Sequence, residues 1–190
     1  SNQGVISARL GAVTLAAGNA VTLDVAGDGL LNVAVEDGVL NALVENGGLI
    51  RAEGGRVLMT ARSATGLLRS AVNNTGIVEA RTLENRKGVI VLLGDLQSGN
   101  ANIDGTLDAS APTGGDGGFI ETSAANVRIT DTAKITTAAP LGVTGTWLID
   151  PQDFTIAAGG NISGATLSAL LVTSSVIIST TIVPDATTPG

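Results

Sequence analysis

A unit of about thirty residues recurs along this chain, and that period restricts the fold more than any other feature. Gly48-Leu-Ile-Arg-Ala52 returns as Gly76-Ile-Val-Glu-Ala80, then as Gly105-Thr-Leu-Asp-Ala109, then in a degraded form as Lys134-Ile-Thr-Thr-Ala138. The steps are 28, 29 and 29 residues. An earlier copy, Gly4-Val-Ile-Ser-Ala8, stands 44 residues before Gly48 and implies one long insertion. Each copy is followed by a second strand-like run led by glycine, at Gly11, Gly55, Gly88, Gly118 and Gly145. A fixed period with two or three short strands in it is the signature of a solenoid, in which each coil buries its face against its neighbours. The alternative all-β arrangement, a β-sandwich, needs hairpin turns between successive strands rather than a thirty-residue return.

Composition agrees. The 190 residues hold 26 glycines and are 44% hydrophobic but only 14% charged, which excludes a disordered acidic tail. Aromatic residues are confined to Phe119, Trp147 and Phe154. Val, Ile, Leu, Ala and Thr must therefore fill the interior, a palette suited to narrow stacked strands. Cysteine and histidine are absent. Stability must come from the fold without disulfides, and the commonest general base and metal ligand is missing. Net charge is −7, and the ten basic residues are scattered apart from Arg86-Lys87. Nucleic acid and anionic membranes need clustered positive charge, so neither is an expected partner.

Along the chain, residues 1–35 alternate as strands at Val5–Ala8, Val13–Ala16, Val21–Val25 and Leu30–Val35, with turn chemistry at Gly18-Asn19 and Gly27-Asp28-Gly29. Three segments have apolar residues at helical spacing: Glu36–Asn46, Ser63–Val72 and Gly164–Val172. They are read as short helical lids, the first accounting for much of the 44-residue step. Asn73-Asn74, Asn85, Asn100 and Asn102 are expected at corners, where Asn tolerates the left-handed conformation, and stacked copies are expected to form side-chain ladders. Residues 110–118 form a flexible glycine-rich loop. No charge occurs from Phe154 to Pro184, but glycine and hydroxyl residues interrupt that stretch, so no membrane span is expected. The expected organisation is β-helix coils over 1–156, a continuing or variant coil with a short helix over 157–180, and a frayed tail or linker over 181–190.

Candidate chemistry is sparse. Asp24 and Asp28 match two letters of a calcium loop without the remaining ligands, which makes them a solvated turn. The run Gly114-Gly115-Asp116-Gly117-Gly118 lacks the Lys-Ser/Thr and the helix of a phosphate-binding loop. No cofactor or metal is expected. The best carboxylate trio for a glycosidase or lyase is Glu121, Asp150 and Asp153, near the aromatic residues. Glycoside hydrolysis needs two carboxylates at a set separation, which spacing along the chain does not supply. Hydrated or turn-capping carboxylates are the preferred reading, and the chain is expected not to be an enzyme.

The stretch Gly117-Gly-Phe-Ile-Glu-Thr-Ser123, followed by Gly145-Thr-Trp-Leu-Ile-Asp-Pro-Gln-Asp-Phe-Thr-Ile156, resembles the filamentous haemagglutinin family. Asp28-Gly-Leu-Leu31, Leu43-Val-Glu-Asn46, Gly54-Gly-Arg-Val57 and Val72-Asn-Asn74 are similar to its upstream words, so the resemblance covers roughly residues 4–180. These are large adhesins and exoproteins of bacterial two-partner secretion. The resemblance implies a right-handed parallel β-helix, for which the residue pattern predicts about five to seven coils and two or three short helical insertions. It also implies secretion to the cell surface of a Gram-negative bacterium, with a role in cell adhesion, biofilm or contact-dependent interaction. The implied partners are the outer-membrane transporter of the full-length protein and a host or bacterial surface receptor or glycan. The transporter-recognition motif is not among these residues, and the chain is expected to begin within a repeat. The matching residues Gly118, Phe119, Glu121, Thr122, Trp147, Asp150 and Pro151 are structural motif positions. Strand alternation puts Trp147 and Ile149 on one face, as a core plug ending the regular stack before Pro151. The rival function is a polysaccharide-active or glycan-binding β-helix.

Overall fold

A computed structural model describes residues 1–18, 20–25, 31–37, 41–62 and 70–180. The chain winds as a parallel β-helix. The first turn comprises β1 (Val5–Ser7), β2 (Ala12–Ala17), a hairpin of β3 (Ala20–Val25) and β4 (Leu31–Asp37), and β5 (Ala42–Asn46). The second comprises β6 (Leu49–Arg51), β7 (Arg56–Ala61) and β8 (Ser70–Asn74), and the third β9 (Ile77–Glu79), β10 (Val89–Leu93) and β11 (Asn100–Ile103). The fourth holds β12 (Thr106–Asp108), β13 (Phe119–Ser123) and β14 (Asn126–Ile129). Then come β15 (Lys134–Thr136), β16 (Thr146–Asp150), α1 (Gly164–Leu170) and β17 (Ser175–Ile178). A first sheet is ordered β1-β6-β9-β12-β15, a second β2-β7-β10-β13-β16-β17 and a third β5-β8-β11-β14. Every neighbouring pair in these three sheets is parallel, which excludes the sandwich.

The repeat words become ladders, but Lys134 stands opposite Thr106 rather than Gly105, so the last repeat is one residue out of the expected alignment. Ile6, Ile50, Val78, Leu107 and Ile135 lie in register through the first sheet. Val13, Val57, Ile90, Ile120, Trp147 and Val176 do the same in the second, and Val44, Val72, Ala101 and Val127 in the third. One continuous apolar core results, and all but Ile6 and Val176 of these residues are buried in it. The leading glycines set the register. The Gly48 carbonyl accepts the Ile77 amide at 2.9 Å, and the Gly76 carbonyl accepts the Thr106 amide at the same distance. A Cβ on Gly76 or Gly105 would collide with the carbonyl oxygen of the glycine one turn below, so these two positions admit no side chain.

Polar side chains enter the core too. Asn2, Asn46 and Asn74 are buried in one column, each amide Nδ2 donating to the next Oδ1 at 2.8 Å. The column ends at Asn74, whose Nδ2 reaches the carbonyls of Gly76 and Thr106 at 3.3 Å, and Ile103 and Ile129 occupy the next two positions. Each amide finds a partner, in the stacked asparagine or, for Asn74 Nδ2, in backbone carbonyls, which is the condition for burying it.

Several expectations need correction. Of the three expected helical lids the last forms, as α1, which is the one helix among the described residues. Residues 42–46 and 70–74 are strands, while 38–40 and 63–69 lie outside the described residues. The physical reason is the buried polar column. With Asn46, Ser70 and Asn74 inside and Leu43 51% exposed, the true alternation has a period of two, but polar residues on the inner face hide it. The long insertion is the antiparallel hairpin β3–β4 rather than a helix. Its turn at Gly27-Asp28-Gly29 and the tail 181–190 lie outside the described residues. Asn85 does adopt the left-handed conformation, with φ 63°, but Asn73, Asn74, Asn100 and Asn102 lie within strands. Five to seven coils follow from the period, whereas the described residues hold four complete three-stranded turns.

The last turn is built differently. After β16 the chain does not add a strand to the third sheet. The loop 155–162 lies along the β14 edge instead: the Ile129 amide donates to the Asn161 carbonyl at 2.8 Å, and Asn161 Nδ2 donates to the Val127 carbonyl at 2.7 Å. Helix α1 follows, capped by Ser163, whose Oγ accepts the Thr166 amide at 3.1 Å. Leu170 of the helix and Ile162 before it are buried. The Asp131 carboxylate accepts the Ser163 hydroxyl at 2.6 Å and also the Thr166 hydroxyl, and these bonds hold its pKa below the usual carboxylate range. The Thr173 carbonyl then accepts the Thr137 amide, and β17 pairs with β16. No helix of the described residues is long and apolar enough to cross a membrane.

Candidate functional site

The motif residues are placed by β13 and β16, adjacent strands of the second sheet. Alternation turns Ile120 and Thr122, and Trp147 and Ile149, into the core. Trp147 is fully buried, and its indole Nε1 donates to Thr122 Oγ1 at 3.2 Å. That bond answers the one polar atom of the largest core side chain. The plug does not end the second sheet, because Trp147 stands opposite Val176 of β17 on its far side. What ends after it is the regular three-stranded winding. Gly118 is another of the side-chain-free positions, its Cβ site blocked by the Gly88 carbonyl. Pro151 is buried directly after β16, and Gln152 Nε2 crosses to the Leu96 carbonyl at 2.8 Å.

Phe119 and Glu121 face outward, both partly buried. Glu121 accepts the Ser123 hydroxyl at 2.8 Å. Asp150 stands opposite Ser123 and is also partly buried, while Asp153 is exposed in the following loop. The fold therefore brings Glu121 and Asp150 to neighbouring strands of one sheet face and leaves Asp153 outside the sheet. The glycine-rich loop over 110–118 is pinned at Asp116. The Asp116 carboxylate accepts the Val143 amide at 3.0 Å and pairs with Lys87 at 3.0 Å, and both lower its pKa.

A shallow groove, open to solvent, lies on the outer face of the third sheet. There Asn100 and Asn102 of β11 and Asn126 and Arg128 of β14 point away from the core. The loop 155–161 rises beside them and completes a groove of about 660 Å³. Its wall is braced: Asn161 Oδ1 accepts the Thr155 amide at 2.8 Å, and the Ala157 amide donates to the Ile162 carbonyl at 3.0 Å. Gly159 at the rim has φ 77° and open space where a side chain would stand. Asn102 Nδ2 donates to Asn73 Oδ1 at 2.9 Å, which orients that amide. Among the described residues, Asn126 makes no side-chain hydrogen bond and Arg128 meets no carboxylate.

The first sheet's outer face is the opposite case. Arg51 and Glu79 meet at 2.6 Å, Arg81 and Glu53 at 2.6 Å, and Arg81 also lies 3.6 Å from Glu79. Arg51 and Arg81 are answered by the neighbouring coil, whereas Lys134 of β15 meets no carboxylate among the described residues. Sequence reading singled out Asn100 and Asn102 as corners and missed Asn126, Arg128 and the loop 155–161. The available signal was weak: outward polar residues recur at one register over two coils, Asn100 over Asn126 and Asn102 over Arg128.

Compared with models of known families, with characterised proteins and with solved structures, the chain finds no match.

Proposed function

We propose that this chain is a non-enzymatic segment of a large secreted or cell-surface exoprotein, a rod-like scaffold and contact surface for cell adhesion, biofilm or contact-dependent interaction. The likeness of its two strand motifs to filamentous haemagglutinins supports the setting: export by a two-partner system and display on a Gram-negative bacterium. One observation carries the reading. The most distinctive words of the sequence are used for stacking, with Thr122, Trp147 and Ile149 all turned inward and Trp147 bonded to Thr122. A stack of this kind produces length, at about 4.8 Å for each added coil. It holds together through its ladders alone, since the chain has no cysteine.

Two measurements test the proposal. Acidic and neutral polysaccharides incubated with the protein should be recovered intact, and beads coated with it should adhere saturably to bacterial or epithelial surfaces. Turnover that disappears on Glu121→Gln or Asp150→Asn replaces this reading with a polysaccharide-active β-helix. Beads that fail to adhere reduce the segment to a spacer.

A further inference from the structure

We propose that the groove on the third sheet binds an acidic oligosaccharide, with Arg128 taking the acid group and the amides of Asn100, Asn102 and Asn126 taking hydroxyls. The lining contains one cation and no carboxylate, although the chain as a whole carries a net charge of −7. Arg128 faces that lining without an acidic partner among the described residues, unlike Arg51 and Arg81 on the first sheet. A planar guanidinium suits a carboxylate or sulfate, which it meets through two parallel hydrogen bonds. Amides offer a donor and an acceptor side by side, and a sugar hydroxyl needs both. The groove draws on β11, β14 and the loop 155–161, so it runs along the rod over two inter-strand steps, about 10 Å. Gly159 keeps the rim free of side chains, where backbone groups approach a ligand most closely.

Other occupants fit less well. A peptide adding itself as a strand needs a free edge, and Asn161 already closes that of β14. A nucleic acid needs several cations along its backbone, and the lining supplies one.

The test is a titration of the ¹⁵N-labelled protein with sialyllactose and trigalacturonate, set against their neutral counterparts lactose and α-1,4-galactotriose. Saturable shifts are expected at the side-chain amides of Asn100, Asn102 and Asn126 and at the backbone of 157–161, with the acidic sugars only. Arg128→Gln should weaken binding about tenfold or more, and Asn126→Ala about fivefold, the sizes expected of one charge-assisted and one neutral hydrogen bond. Arg86→Gln removes the same charge from an exposed position outside the groove and should leave affinity unchanged. Equal binding of the neutral sugars, shifts centred elsewhere, or equal losses in the two arginine variants would each overturn the proposal. The inference rests on reading the chain as a contact surface that binds without turnover, and the two fail differently. An intact sugar that causes no shift removes the groove alone, whereas a chemically altered sugar removes the non-enzymatic reading.

Discussion

The second to fourth turns and the closing turn solve one problem in two ways. Each strand of a parallel stack presents amides and carbonyls to the coil above, and these must be answered. In the middle turns the answer is repetition: the Gly48 and Gly76 carbonyls each receive an amide from the same position one coil on. In the closing turn each sheet is answered by something different. The second sheet receives β17, the third a loop held by Asn161, and the first the Thr173 carbonyl and the Ser174 hydroxyl. Regularity is therefore a property of the side-chain columns rather than of the hydrogen bonds. The winding path continues after the columns stop, and irregular pieces close the exposed edges. The groove exists because one of those pieces stands beside a sheet face instead of extending it.

The sharpest way to break the comparison is at the junction. Trp147 is the last large side chain of the second-sheet column, and Trp147→Ala should cost about 3–5 kcal/mol. The loss is read as a lowered cooperative midpoint in denaturant. Native emission should be blue-shifted and move red on unfolding. Red-shifted emission quenched by iodide in the native protein would mean that the closing turn does not cover the core.

Glycines separate the two regions next. Gly76→Ala forces a Cβ against the Gly48 carbonyl in the middle of the stack and should destabilise by about 1–3 kcal/mol, as overpacking does. Gly164 begins α1 and has nothing within 4 Å of its Cβ position. Gly164→Ala should therefore be neutral or stabilise by about 0.4–1 kcal/mol through the unfolded chain. Equal effects from the two, measured by thermal unfolding, would show that the glycine columns do not set the register.

The smallest expected effect concerns acid. Asp104, Asp116 and Asp131 have folded pKa values held below the ordinary carboxylate value, Asp104 by the Thr130 and Thr132 hydroxyls. A depressed carboxylate stabilises the fold above its unfolded pKa, about 3.9, and that contribution is lost as pH falls through the folded value. Melting temperature should stay nearly flat from about pH 7 to about pH 5 and drop below about pH 4. Asp131→Asn removes one contributor, in the closing turn, so its deficit against the parent should shrink as pH falls. A deficit that stays constant would mean that Asp131 acts by packing rather than by charge.

Much of the architecture is legible in the residues because a repeat carries its own register. Glycine followed by apolar residues at every second position is enough to place Ile50, Val78 and Leu107 in one column, where the first sheet indeed holds them. The same local reading fails at 42–46 and 70–72, which are strands. Apolar pairs there have helical spacing, and nothing nearby reveals that Asn46, Ser70 and Asn74 face inward. The carboxylates were legible as residues but not as a site, since only the sheet determines that Glu121 and Asp150 share a face while Asp153 does not. The groove was the least legible, because Arg128 and Gly159 are 31 residues apart and meet only through the loop at the β14 edge.

By itself, then, the sequence determined the period, the glycine columns and the inward aliphatic ladders, because each depends on contacts between equivalent residues of successive coils. Tertiary structure alone decided which polar residues lie inside and where the stack changes character. An asparagine is acceptable in the core only when its amide has a hydrogen-bond partner, as Asn46 has in Asn74 at 2.8 Å across 28 residues, and local sequence holds no record of that partner.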